Sequence, residues 1–299
     1  MQWKVGKVKI TKIVELETTG STRFILPLAS NEEIRKLPWL IPHFATEEGR
    51  LKMSIHSLVV ETPSRRIVVD TGLGNDKEGR IAPGWNHRKT PFLDSMTAAG
   101  FPPDSIDTVL CTHLHVDHVG WNTKLTGGEW VPTFANARYV FGKTEYEHWR
   151  DHSTAPDKAA VFHDSVKPIA DAGKADLVAS DARLCDEITL IPTPGHSPGH
   201  MSVHIQSAGE EGLLTGDVAH HPCQMAHLDW SSTADSDPAR SAVTRRELFS
   251  RFADTPTLVI GGHFNAARIK RDGAAFKFIV YDGIARPRRG QKQRSAVSH

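Results

Sequence analysis

The most informative segment of the chain reads Thr112-His113-Leu114-His115-Val116-Asp117-His118-Val119-Gly120 and follows directly on an apolar strand predicted over 107–111. In an extended segment, side chains two residues apart point the same way, so His113, His115 and Asp117 are expected to converge beyond the strand end. His118 is then expected to turn to the other side. Three imidazoles and one carboxylate packed this closely need a compensating ion, so the segment predicts a metal site.

Three further candidate ligands stand in the same local context, each in a turn after an apolar strand. His196 follows a strand predicted over 188–192, Asp217 follows Leu213-Leu214, and His263 follows Leu258-Val259-Ile260. Two divalent ions need more ligands than the first segment supplies. These three residues are therefore candidates to complete a two-metal site.

Taken in order, these seven residues resemble the ligand pattern of the metallo-β-lactamase superfamily: His113, His115, Asp117, His118, His196, Asp217 and His263. The resemblance covers roughly residues 53–280 and includes Asp70-Thr71-Gly72, which is similar to an early turn lying beneath the metals. It implies an α/β fold, a four-layer αβ/βα sandwich in which two mixed β-sheets lie face to face with helices outside.

The same resemblance implies how the ligands are shared between the ions. One ion would be held by His113, His115 and His196, with Asp217 bridging the two ions. The remaining three ligands would hold the second ion: Asp117, His118 and His263.

Ligand chemistry agrees with a hydrolase. Histidine and carboxylate without thiolate suit zinc as the default metal, with manganese, cobalt or iron as alternatives. Two divalent ions about 3.5–4 Å apart can share a water, lower its pKa towards 7 and hold the attacking and leaving oxygens of a displacement. We therefore expect a metal-dependent hydrolase that uses a metal-bridging hydroxide.

Differences between branches of the superfamily indicate the class of substrate. Its β-lactamases lack an aspartate corresponding to Asp217, which disfavours antibiotic hydrolysis. The chain more closely resembles the acyl-homoserine lactonases and the methyl parathion hydrolase group, so we expect cleavage of a small, fairly apolar lactone or ester, with phosphotriesterase activity as the alternative. A mononuclear iron oxygenase and a non-catalytic metal-binding protein of the same fold are further alternatives.

Three residues are candidates for substrate contact. Lactonases of this kind often carry a tyrosine three residues after the bridging aspartate, a position occupied here by His220. We expect His220 to donate a hydrogen bond to the substrate, and Asp117 and His220 are the candidate catalytic residues. Trp121 and Phe264, which lie close to ligands in sequence, are candidate apolar substrate contacts, with core packing as their alternative.

A competing motif lies in the same turn as His196. Gly195-His196-Ser197-Pro198-Gly199 matches the nucleophile elbow of serine hydrolases. That elbow uses the backbone N–H of the residue after serine in its oxyanion hole, and Pro198 has no N–H. The motif therefore predicts a metal ligand and not a serine nucleophile.

Composition limits the partners. The 299 residues include 36 basic and 35 acidic side chains, and five of the basic ones lie in residues 286–299, which leaves a net charge of −4 for the rest. An acidic body disfavours nucleic acid as a partner. No apolar run is long enough for a bilayer and Met1–Lys7 has no signal-like apolar block, so we expect a cytoplasmic protein with a small-molecule substrate and no membrane partner.

The expected organisation is a single domain over residues 1–285 with a basic disordered tail over 286–299. Residues 1–50 are predicted to be an N-terminal extension that serves as a lid or as a dimer arm, which leaves a homodimer open. Four segments without clear periodicity are too long for plain connections, so we expect some of them to line or cover the site: 18–50, 73–90, 152–186 and 219–237.

Overall fold

The computed structural model describes residues 1–20 and 24–280. In chain order its strands are β1 Gln2–Val5, β2 Val8–Gly20, β3 Leu51–Glu61, β4 Arg66–Val69, β5 Thr108–Leu110, β6 Thr123–Thr126, β7 Glu129–Pro132, β8 Arg138–Gly142, β9 Ala175–Val178, β10 Ile188–Pro192, β11 Met201–Ser207, β12 Glu210–Leu214, β13 Leu258–Ile260, β14 Ala267–Asp272 and β15 Ala275–Val280. The α-helices are α1 Asn31–Arg35, α2 Phe92–Ala98, α3 Lys143–His152, α4 Pro156–Val161, α5 Lys167–Asp171, α6 Cys223–Ala226 and α7 Pro238–Phe252.

The strands form two large mixed sheets. Within the described residues the first sheet has the order β1-β2-β3-β4-β5-β8-β9, and the second has the order β10-β11-β12-β13-β14-β15. Strands β4, β5, β8 and β9 run parallel in the first sheet, and β12 and β13 run parallel in the second. The short hairpin of β6 and β7 stands apart from both sheets.

Alternation along the strands explains why the sheets are covered on both faces. In β4, Ile67 and Val69 belong to the apolar cluster between the sheets, whereas Val68 belongs to the cluster under α2 and α3. In the second sheet, Leu214 faces the first sheet and Leu213 faces the cluster that contains α7. Successive side chains of a strand point to opposite faces, so apolar strands of this kind produce four layers. This is the predicted αβ/βα sandwich.

The N-terminal residues correct one expectation. Residues 1–20 are not an extension, because β1 and β2 pair with each other and β2 pairs with β3 along its length. Trp3, Val5 and Val8 are buried in the cluster between the two sheets, which makes these strands part of the core. The segment from Phe24 to Arg50 runs over the second sheet, and the dimer-arm alternative for it stays a prediction.

A buried charge network holds the irregular segment over 73–90. Lys77 and Arg80 both approach the carboxylate of Asp164, with Lys77 Nζ 3.5 Å from Oδ1 and Arg80 Nη1 2.8 Å from Oδ2. Burial lowers the pKa of Lys77 to about 7, and Asp164 opposes that shift. Removing one partner of such a buried pair typically costs about 3–5 kcal/mol. The network therefore fixes the segment that carries Ile81 and Trp85 against the turn formed by Phe162–Val166.

The basic tail over 286–299 and the end of the expected domain at residue 285 lie outside the described residues. Among the helices in residues 1–20 and 24–280, none combines the length and the apolar character that a membrane crossing requires.

Candidate metal centre

Strand ends from both sheets bring the predicted ligands to one edge of the sandwich. Asp70 follows β4 and the segment 112–118 follows β5, while Asp217 and His263 follow the parallel strands β12 and β13. The carboxyl ends of adjacent parallel strands meet at the same edge of a sheet, which explains the convergence. His196 reaches the same place from the loop between β10 and β11.

Asp217 lies at the centre of the site. It is 2% exposed. The backbone of Gly262 packs so closely against it that a Cβ at this glycine would lie 2.4 Å from Asp217 Oδ1. Its Oδ2 atom is surrounded by the Nε2 atoms of five histidines: His263 at 3.1 Å, His118 at 3.3 Å, His220 at 3.3 Å, His196 at 3.5 Å and His113 at 3.9 Å.

The structure corrects the expected direction of His118. Strand alternation predicted that it would face away from His113, yet the two imidazole rings lie 4.1 Å apart between centroids. The segment beyond β5 is not extended, because His118 donates its backbone N–H to the carbonyl oxygen of His115 at 3.1 Å. This turn carries His118 to the same centre as the other ligands.

Contacts at Nδ1 orient three of the imidazole rings. Nδ1 of His118 lies 2.9 Å from Asp70 Oδ2, and Nδ1 of His196 lies 2.9 Å from Asp235 Oδ1. Nδ1 of His263 lies 3.1 Å from the carbonyl oxygen of Ser54. Partners of this kind fix the ring and leave Nε2 for the metal.

Burial favours the neutral imidazole at three of the histidines. Burial lowers the pKa of His113 and His196 well below the ordinary value, and lowers that of His220 to about 3. Burial would raise the pKa of Asp217, but the neighbouring His263 and His118 hold it well below its usual range. Neutral imidazole and ionised carboxylate are the forms that bind metal ions.

The donor set fits two divalent ions. His113, His115 and His196 bring nitrogen donors within 4.8 Å of one another, as do Asp117, His118 and His263 with their ring nitrogens and carboxylate. Asp217 belongs to two overlapping groups, one with His113 and His118 and one with His196 and His220. His118 Nε2 and Asp217 Oδ1 are buried without a hydrogen-bond partner. Binding a cation would use the lone pairs of these two atoms and so compensate their burial.

A cavity of about 600 Å³ opens from this centre. All four segments that the sequence singled out as too long for plain connections contribute to its wall. The apolar lining consists of Phe24, Ile25, Met53, Ile55, Ile81, Trp85, Leu114, Val116, Trp149, Val161, Phe162 and Val166. Small-molecule sites have this size and character, with a few polar groups at one end.

The two predicted apolar contacts are not part of that wall. Trp121 is buried in the core, where it stacks on Phe92 and donates its indole N–H to Glu15 at 3.0 Å. Phe264 packs against Phe278 beneath the second sheet. Each is adjacent to the site in sequence but directed into an apolar cluster, so the alternative of core packing replaces the expectation. Trp149 lines the cavity, although its place on α3 gave no sequence signal.

Several supporting residues have no motif that could have revealed them. Asp235 orients His196 from a loop with no regular structure. Glu145 accepts hydrogen bonds from the loop that carries His113 and from the loop that carries His196. His200 accepts from the backbone N–H of Asp217 at 2.9 Å, while its Nδ1 lies 2.8 Å from Thr193 Oγ1. Both of its nitrogens are therefore occupied, which distinguishes it from the predicted ligands.

The family follows from this geometry together with the sequence. A family model for the metallo-beta-lactamase superfamily matches residues 52–263, which span every predicted ligand. The chain belongs to the metallo-beta-lactamase superfamily. Its described residues also bring together several groups of histidine and aspartate donors that could hold a metal ion.

Two curated relatives are similar to the chain over somewhat more than half of its length. An N-acyl homoserine lactonase from Bacillus thuringiensis is 26% identical in an alignment over 183 residues that covers 57% of this chain and 66% of that protein. A probable metallo-hydrolase from Mycobacterium tuberculosis is 26% identical over 182 residues, 56% of this chain and 57% of that protein. The chain thus spans slightly less than two thirds of the lactonase.

Solved structures show the same fold over nearly the whole chain. The hydrolase AbOPH of the beta-lactamase superfamily has a TM-score of 0.77 at 22% identity and covers 96% of this chain and 97% of its own. AidC, a dizinc quorum-quenching lactonase, has a TM-score of 0.73 at 20% identity and covers 95% and 98%.

Proposed function

We propose that the protein is a dinuclear metal-dependent hydrolase that cleaves a small, fairly apolar lactone or ester. The observation that carries this proposal is the cluster of five histidine Nε2 atoms around Asp217 Oδ2, a residue that lines a largely apolar cavity. Lactonases among the relatives and structural neighbours support the choice of substrate class.

Different residues would bind the metal ions and position the substrate. His113, His115 and His196 would hold one ion, Asp117, His118 and His263 the other, and Asp217 would touch both. Two bound divalent ions, zinc by default, supply Lewis acidity and a water of lowered pKa. The chain positions the substrate against this centre: the apolar wall excludes water, and Trp149 packs edge-on against His115 with ring centroids 5.3 Å apart.

A substrate panel with metal analysis tests the proposal. The purified chain is expected to contain two divalent ions and to hydrolyse lactones and carboxyl esters. A chelator should abolish the activity, and added zinc, manganese or cobalt should restore it.

Each other outcome selects a different function. Preference for phosphotriesters would select the phosphotriesterase alternative, and one iron per chain would select the oxygenase. Hydrolysis of a cephalosporin alone would contradict the proposal.

His220 is the proposed hydrogen-bond donor to the substrate. It lines the cavity, its ring stacks parallel to that of His263, and its Nδ1 is buried without a partner. We expect His220→Ala to lower turnover about 10²–10³-fold and to leave both metals in place. Turnover and metal content should be measured on the same preparation.

His221→Ala is the matched control. His221 Nε2 lies 2.8 Å from the carbonyl oxygen of Phe44, and its Nδ1 accepts from the backbone N–H of Cys223, so it secures the N-terminal segment. Its loss is expected to lower stability and not turnover. If His220→Ala instead loses metal and excess zinc restores its activity, His220 serves the metal and not the substrate.

A further inference from the structure

Glu145 is a buried carboxylate that no predicted motif includes. It lies in the first turn of α3, is 1% exposed, and belongs to none of the described donor groups that could bind a metal. Removing a carboxylate from water costs free energy, which strong hydrogen bonds must compensate.

Four donors supply that compensation, two to each oxygen. Oε1 accepts from the backbone N–H of Leu114 at 3.1 Å and from the indole N–H of Trp149 at 2.6 Å. Oε2 accepts from the hydroxyl of Ser197 at 2.7 Å and from the backbone N–H of Gly199 at 2.8 Å. Burial raises the pKa of Glu145, and the four hydrogen bonds, three of them from N–H groups that cannot accept, oppose that shift and favour the ionised carboxylate.

Three of the four donors come from the two loops that carry His113, His115 and His196. Leu114 lies between His113 and His115, and Ser197 directly follows His196. One side chain therefore joins the two loops that form the three-histidine position. The second loop sits directly on α3, because a Cβ at Gly199 would lie 2.3 Å from the backbone nitrogen of Glu145.

The two metal positions differ in charge, and Glu145 lies behind the less charged one. His113, His115 and His196 are neutral donors whose anionic partner as a ligand is the shared Asp217, whereas the other position also has Asp117. The Asp235 carboxylate contacts His196 but is not among these donor groups. We propose that Glu145 is a positioning residue that holds the two loops of the three-histidine position in register and supplies negative charge behind it. This inference rests on the proposed function only in requiring that the histidines bind metal.

The test is the affinity of each position for metal. Glu145→Gln keeps the size of the side chain but loses its charge, and in either orientation its NH₂ group faces at least one N–H donor. We expect this variant to bind metal about 10–100-fold more weakly at the three-histidine position and unchanged at the other. Competition with a chelator gives the affinities, and cadmium NMR assigns them to positions by comparison with Asp117→Asn.

Glu147→Gln is the matched control, because Glu147 lies on the same helix with its side chain 43% exposed. If Glu145→Gln does not fold, Ser197→Ala removes one donor to Oε2 and should weaken the same position by a smaller factor. Equal weakening at both positions, or unchanged binding, would overturn the proposal. A protein that binds two metals but cleaves no lactone or ester would overturn only the proposed function, since this readout is independent of turnover.

Discussion

Asp217→Ala is expected to empty at least one metal position and to abolish hydrolysis. The carboxylate is the only acidic group among the described residues that lies within 4 Å of five histidine Nε2 atoms. Without it, two closely spaced cations would have no shared carboxylate between them, and their repulsion is large in a buried site. Metal content by elemental analysis and turnover on the best lactone or ester measure the effect.

Two further variants make the result specific. Asp217→Asn keeps the shape of the side chain and removes its charge, so it should lose metal as the alanine variant does. Asp186→Ala removes an aspartate whose side chain is 94% exposed, and it should leave metal content and turnover unchanged. An Asp217→Ala protein that holds two metals and turns over normally would contradict the assignment of the bridge.

His196→Ala should lose activity by orders of magnitude, whereas Ser197→Ala, assayed with zinc in excess, should keep most of it. His196 Nε2 points into the cluster, 3.5 Å from Asp217 Oδ2, and the residue lines the cavity. Ser197 is fully buried and donates its hydroxyl to Glu145, so it is directed away from a substrate in the cavity. The pair thus separates metal-dependent hydrolysis from a serine mechanism.

Trapping provides a second readout for the same question. A serine nucleophile would form a covalent acyl-enzyme, which mass spectrometry detects after rapid quenching. We expect no adduct on Ser197. A trapped adduct there, together with loss of activity in Ser197→Ala, would replace the proposed mechanism.

The elements nearest the site were predictable because their patterns are local. The apolar strands predicted over 107–111, 188–192 and 258–260 appear as β5, β10 and β13. Strand β1 was not predicted from the sequence, and the place of the β1–β2 hairpin in the first sheet depends on the pairing of β2 with β3, which begins only at Leu51. The extension expected over residues 1–50 was wrong for 1–20 for this reason.

The direction of side chains beside the ligands could not be read from the sequence. Trp121 lies three residues after His118, and Phe264 directly follows His263, yet both rings point into apolar clusters. Leu114 and Val116 do line the cavity, but much of its wall comes from segments remote in sequence, such as those of Ile81 and Val161. Which aromatic ring meets the substrate depends on how the loops pack against the two sheets.

By itself the sequence determined the kind of fold and the seven candidate ligands, because ligand chemistry requires particular residue types at fixed places after strands. Only the tertiary structure decided what supports those ligands. Asp235 and Glu145 act on His196 and its loop from elements far away in the chain, through hydrogen bonds that leave no spacing pattern in the sequence. Distance in sequence carries no information about such contacts, since they form only once the two sheets, α3 and the loop before α7 have packed together.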